Sequence, residues 1–192
     1  MEAVDTRSRI LDVAQDLIQR LGANAISYQH VSDAVGIRKA SIHHHFPSKE
    51  DLIEALIRRY SAYFLGLVDG ILASDLSAPE KLRRYCGLFE GTLRKGAQDR
   101  ACPCAMLGAE LASIGSASAA LIQEFYKDNE KRLTRLLEQG RAERSLSFEG
   151  SPQSTASLIF ALLEGGMLVV RASGGAKRFR AVTEQLIALV GG

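Results

Sequence analysis

The sequence predicts an all-α protein of about nine helices, and three observations carry that expectation. Apolar residues recur at three- and four-residue intervals along most of the 192 residues, which is the period of a helix with one buried face. Caps and breakers stand at the ends of those periodic runs, Gly22, Gly36, Pro47 and the stretch 150–152 among them. No alternating run has the strength of a sheet strand, with 145–149 the only short candidate. A hydrophobic content of 46% is ample for a packed core.

Each element follows in order. Between Thr6 and Leu21, Ile10, Ala14, Leu17, Ile18 and Leu21 make one helical stripe, and Gly22 ends it. Ser27 is placed to N-cap a short helix whose apolar positions are Val31, Ala34 and Val35, and Gly36 supplies the left-handed residue that stops it. Ile37 plugs the turn. A second short helix turns Ile42 and Phe46 inward and leaves Arg38, Lys39, Ser41, His43 and His44 outward. Two short helices joined by a glycine turn are the grammar of a DNA-reading helix-turn-helix. Ser48 and Asp51 then form an S-x-x-D capping box that launches a long helix from Ser48 to about Ala73.

Beyond it, residues 74–79 read as a break, 80–93 as a helix and 95–103 as a loop. Residues 104–113 read as a short apolar helix and 116–143 as a long amphipathic one. A final pair spans Thr155 to Ala172 and Ala176 to Val190. Two domains are expected: a DNA-binding head over 1–50 and a helical body over 51–192 for effector binding and dimerisation.

The run RILDVAQDLIQRLGANAISYQHVSDAVGIRKASIHHHFPSKEDLIEAL resembles the tetracycline-repressor-like (TetR) transcriptional regulators over about the first quarter of the chain. The resemblance implies a homodimeric repressor that binds a pseudo-palindromic operator and is released by a small organic effector. It also implies dimerisation through the last two helices as a four-helix bundle. Two positions depart from the family's usual pattern: His43 stands where a tyrosine is common, and Ala40-Ser41 where a Gly-Thr or Gly-Ser pair is common. An imidazole reaches less far than a phenol, so the operator sequence is not inferred from relatives.

Net charge is only +2, so bulk electrostatics does not announce a nucleic-acid partner, and the first 59 residues balance 8 Lys and Arg against 8 Asp and Glu. Locally the balance tips. From Ser27 to Lys49 the chain carries Arg38, Lys39 and Lys49 against Asp33 alone, with all 4 histidines. A small basic patch presented twice by a dimer is therefore expected to meet DNA. Arg38, Lys39, Ser41, His43 and His44 are the candidates for base edges and phosphates, Ser27 and Gln29 for the flanking backbone, and Lys49 for a phosphate at a helix start. The start of the chain is short and acidic, unlike a secretory signal, and Glu164 interrupts the longest apolar run, so no membrane span and a cytoplasmic location are expected.

Three further groups of residues invite chemistry. Consecutive side chains on a helix diverge by about 100°, so His43, His44 and His45 are not expected to hold a metal. Cys102 and Cys104 lack the further ligands of a zinc site, and the reducing cytoplasm makes thiols the default. They could pack as small apolar residues, or serve as a redox or electrophile sensor near a helix N-terminus. A rival from another class makes the same cysteines the centre of a thiol-dependent oxidoreductase; against it stand the absence of a C-x-x-C pair and of any nucleotide-binding glycine pattern. No cofactor is expected. Glu110 and Glu164 each sit in a mainly apolar stretch, where an unpaired carboxylate is costly to bury. With Tyr85, Phe89, Cys102, Cys104, Met106, Phe125 and Met167 they are candidates to line an effector pocket, and Arg171 is a possible partner for either acid. On the last two helices, Ile159, Leu162, Leu163, Gly166, Val170, Val182, Leu186, Ile187 and Leu189 form an apolar excess that suits burial against a second copy.

Overall fold

The computed structural model describes residues 5–94, 99–173 and 175–191. Among them are nine α-helices: α1 Thr6–Leu21, α2 Tyr28–Val35, α3 Lys39–His45, α4 Lys49–Leu72, α5 Ala78–Arg94, α6 Pro103–Gly108, α7 Ser116–Ala142, α8 Pro152–Ala172 and α9 Gly175–Val190. A single 3-10 turn, Leu111–Ser113, follows α6. The 145–149 strand candidate reduces to one isolated antiparallel bridge between Leu146 and Gly191. Residues 95–98 of the expected 95–103 loop lie outside the described residues, and Pro103 already opens α6.

Several helices start earlier than expected because their caps lie outside the apolar period. Ser77 and Glu80 form a second capping box, the hydroxyl donating to the carboxylate at 2.6 Å and the Ser77 N–H at 3.1 Å. This sets the start of α5 at Ala78. Ser151 accepts from the Ser154 N–H at 3.0 Å, so α8 starts at Pro152, where proline's missing N–H costs nothing. That early start makes α8 the one helix among the described residues long and apolar enough to cross a membrane by length and composition, contrary to the expectation of no such run. It packs as a core helix instead, against α5 and α9, with Glu164 buried at its middle.

The chain divides into two compact units. The first joins Met1–Ser61 to Pro103–Glu124, and the second joins Ala62–Cys102 to Phe125–Gly192. The division differs from the expected boundary at residue 50: the start of α4, α6 and the first turns of α7 all belong with the head. Long-range side-chain bonds, invisible to local periodicity, explain the difference. Glu110 Oε2 accepts from the Ala23 N–H at 2.7 Å, and its carboxylate also faces the Asn24 N–H at 3.3 Å. Glu50 accepts from the Gly115 N–H at 3.1 Å and from the Ser118 hydroxyl.

In the first unit, Ile10, Leu11, Ala14, Ile18, Val31, Val35, Ile42, Phe46, Leu52, Ile53, Leu56 and Ile57 form the core. Each buried aliphatic or aromatic side chain contributes roughly 1.5–3 kcal/mol. Ala34, expected on this apolar face, is exposed, and Ser32 is buried in its stead with its hydroxyl on the Gln29 carbonyl at 2.9 Å. In the second unit an aromatic cluster occupies the centre: Phe64, Tyr85, Phe89, Phe125 and Phe160 are all buried. Arg180 ties α9 to Glu90 of α5 at 2.5 Å, and Arg132 holds Asp69 at 2.7 Å.

Candidate nucleic-acid interface and buried body site

The head builds its outer face from three local devices. Ser27 caps α2 through the His30 N–H at 3.4 Å, while His30 Nδ1 accepts from the Ser27 N–H at 3.2 Å, a capping box closed by an imidazole. Gly36 adopts φ +76°, ψ +37°, the left-handed conformation that lets α2 end and α3 begin with only Gly36, Ile37 and Arg38 between them. The Ser48–Asp51 box starts α4 as expected, with the Ser48 hydroxyl and N–H both donating to Asp51 at 2.6 and 2.8 Å. Those two bonds hold the Asp51 carboxyl below its ordinary range. The Tyr28 hydroxyl reaches back from α2 to the Phe46 carbonyl at 2.8 Å and to that of Ser48. Burial, and then the charge of Asp51, push this phenol up to about 12.

On that frame Arg38 N-caps α3, and Lys39 occupies its first turn. Both are exposed, and neither meets an acidic partner among the described residues. Most other cations of the head are engaged, the exposed Arg58 only loosely, 4.0 Å from Glu54. Arg9 donates to the Val35 carbonyl at 2.8 Å, Arg20 pairs with Asp16 at 3.0 Å, Arg59 with Asp12 at 2.8 Å, and Arg7 lies over the Phe46 ring. Lys49 corrects the expectation of a phosphate contact. Its ammonium donates to the Ala23 carbonyl at 2.5 Å and to that of Ile26 at 2.8 Å, closing the loop between α1 and α2 from within.

A shallow groove runs beside α3, lined by Thr6, Ile37, Arg38, Ala40, Ser41, His44 and His45. Thr6, Ile37, Ala40 and His45 were not among the DNA-binding candidates of the sequence; Thr6 enters because the N-terminal end of α1 borders the groove, a neighbourhood no local spacing reveals. His43 is exposed, its ring edge against Tyr28 at 4.8 Å. Its Nδ1 faces the Pro47 carbonyl at 3.3 Å. A carbonyl only accepts, so Nδ1 carries the proton and Nε2 is left as an outward acceptor in the neutral ring. Gln29 is also exposed, its amide donating to Asp33 at 2.7 Å. The His44 and His45 rings stack edge to face at 5.3 Å, and His43 turns instead to Tyr28.

The effector-pocket candidates divide between the two units. Tyr85, Phe89, Cys102, Phe125, Glu164 and Met167 lie in the second, and all are buried. Cys104, Met106 and Glu110 lie in the first. Glu110 therefore corrects its assignment: its carboxylate is the anchor of the α1–α2 loop. Cys86, Cys102 and Cys104 are buried reduced thiols, and burial pushes Cys86 up to about 12. A reactive thiol needs exposure and an electropositive setting, so burial counts against both the sensor and the oxidoreductase readings of Cys102 and Cys104.

Within the second unit the Tyr85 hydroxyl donates to Asn129 Oδ1 at 3.3 Å, and Asn129 donates in turn to the Phe125 carbonyl at 2.9 Å. Glu164 has neither carboxyl oxygen on an N–H or O–H partner among the described residues. Burial, and then the facing Cys102 thiol, hold its proton well above the ordinary carboxylate range. Arg171 is not among the groups that act on it.

Comparison with known proteins gives two family matches. Residues 10–56 match the model described as bacterial regulatory proteins, tetR family, and residues 78–186 match the tetracyclin repressor-like C-terminal domain. A crystal structure of a TetR-family transcriptional regulator from Agrobacterium tumefaciens is 33% identical, covers 97% of each chain and superposes with a TM-score of 0.92. One from Legionella pneumophila is 28% identical over 99% of this chain and 100% of its own, with a TM-score of 0.88. The HTH-type transcriptional repressor NemR of Escherichia coli is 24% identical over 88% of this chain and 85% of its own.

Proposed function

The chain belongs to the TetR family of bacterial regulatory proteins, and from that premise we propose that this DNA-binding transcriptional regulator is a cytoplasmic homodimeric repressor released from its operator by a small organic effector. The observation that carries the DNA reading is the division of labour among the head's cations. Arg9, Arg20, Arg59 and Lys49 are spent on internal bonds, whereas Arg38 and Lys39 stand exposed at the start of the recognition helix α3. They are the guanine and phosphate readers in this proposal. Ser41, His43 and His44 follow on α3; neutral His43 presents an acceptor, suited to an adenine or cytosine amino group. Ser27 and Gln29 reach the flanking backbone.

Two such heads occupy successive major grooves, with half-site centres about 34–36 Å apart or a multiple of that. The partner is a second copy, held through α8 and α9. The effector binds in the second unit near Tyr85, Phe89, Phe125, Glu164 and Met167. It acts through the chain crossings at 61–62, 102–103 and 124–125, where the body continues directly into elements of the head. Ligand and operator are then coupled reciprocally.

Selection of genomic fragments by the purified protein tests the proposal. A pseudo-palindrome with that spacing is expected, and Arg38→Ala with Lys39→Ala should lower affinity for it at least about a hundredfold. Unchanged affinity in a folded double variant would refute the assignment.

A further inference from the structure

Glu164 follows Phe160 by one turn of α8, so the two side chains share a helix face. Phe160 meets Phe89, Phe125 and Tyr126 at ring-centroid distances of 6.4, 6.4 and 5.5 Å, and Phe64 joins Phe89 and Phe125 at 5.4 and 5.7 Å. An aromatic cluster thus adjoins a fully buried carboxyl that has no N–H or O–H partner among the described residues. The groups set against it are the Cys102 thiol and the Tyr85 phenol, neither of which brings a positive charge. As packing alone this is a poor choice, since a leucine or methionine would fill the space without the desolvation cost of a carboxyl.

Resting on the effector-released reading above, we propose that the effector is an organic cation of the ammonium or amidinium class, its charge taken by the Glu164 carboxylate and its apolar body by Phe64, Phe89, Phe125 and Phe160. Ring faces attract a cation, the more so when desolvated, and the carboxylate adds charge and geometry. Burial favours the neutral form of the Glu164 carboxyl; a permanent cation replaces its proton, which leaves to solvent. Net charge within the site is therefore zero before and after binding. Burial keeps the Tyr85 proton in place throughout.

Equilibrium dialysis of the full-length protein with benzyltrimethylammonium, and with its uncharged carbon isostere neopentylbenzene, tests the inference. The cation is expected to bind saturably and at least about tenfold tighter than the isostere. Glu164→Gln should abolish that preference and leave isostere binding unchanged. Calorimetry in buffers of differing ionisation enthalpy should detect up to one proton released by the wild type and none by the variant. Equal binding of the two probes, no saturable cation binding, or a variant that keeps its preference would each overturn the proposal. Operator gel shifts on the same samples separate the two claims: cation binding without operator release overturns the effector-released reading and leaves the cation site standing.

Discussion

Gly36 and Glu164 act by opposite means, one through its backbone and one through its proton. At Gly36 an added Cβ would meet nothing within 4 Å, so the cost of Gly36→Ala is that of the left-handed backbone alone. That cost is about 1–2 kcal/mol, read as a lower urea midpoint with unchanged slope. Glu164 works through its proton. Its folded-state affinity for the proton exceeds that of the unfolded chain, so the stability Glu164 contributes is fully present below the unfolded carboxyl's range near pH 4 and is lost as pH rises toward the folded value. Glu164→Gln mimics the protonated form and should escape that decline. The variant is therefore expected to melt above the wild type at pH 7.5, with the gain shrinking toward zero near pH 4.5. Of the titratable groups facing it, Tyr85 remains protonated across that window, burial having pushed its phenol upward. A gain that grew toward acid would contradict the assignment.

Among the elements, the loop between α1 and α2 is held from three directions. Glu110 accepts from its N–H groups, Lys49 donates to its carbonyls, and Asn24 donates to the Ser113 hydroxyl at 2.8 Å. Glu110→Ala would leave the Ala23 and Asn24 N–H groups unpaired at a cost of about 1–3 kcal/mol. Faster amide exchange at those two residues and weaker operator binding are the expected readouts; unchanged exchange would remove Glu110 from its role. This clamp marks the limit of what the chain discloses by itself. Helix number, the N-cap at Ser27, the capping box at Ser48, the Gly36 turn and the outward residues of α3 were all legible, because each depends on neighbours within four positions. Glu110 and Lys49 were not, since their partners lie 87 and 26 residues away and a carboxylate in an apolar stretch reads the same whether it serves a pocket or a loop. The Ser77–Glu80 box was readable as S-x-x-E, but the neighbouring break residues masked it.

At the scale of the whole molecule, two functions must be served by one helix pair. Ile159, Leu163, Val170 and Leu186, expected to face a partner, are buried within the chain and form its own core. What faces outward on α8 is a neighbouring stripe. Leu158, Leu168 and Val169 are 65%, 38% and 56% exposed, with Ala161 and Gly165 exposed between them, and Leu189 of α9 is 68% exposed. The spacing of 158, 161, 165, 168 and 169 is that of a single helical face. Gly165, around which a Cβ would meet nothing, lets a second backbone approach closely. With Leu189, which the sequence did single out, an apolar stripe of this kind suits the seam of the proposed dimer better than Ile159, Leu163, Val170 and Leu186, which are consumed in the chain's own core. Leu158→Glu with Val169→Glu would bring like charges together across a two-fold seam while leaving the interior of each chain intact. Sedimentation should therefore show a folded monomer with native helicity. Operator affinity should fall by about a hundredfold or more, because each head loses the effective concentration supplied by its twin. A variant that still sediments as a dimer would move the interface off α8, and one that binds operator normally as a monomer would refute the paired-head geometry.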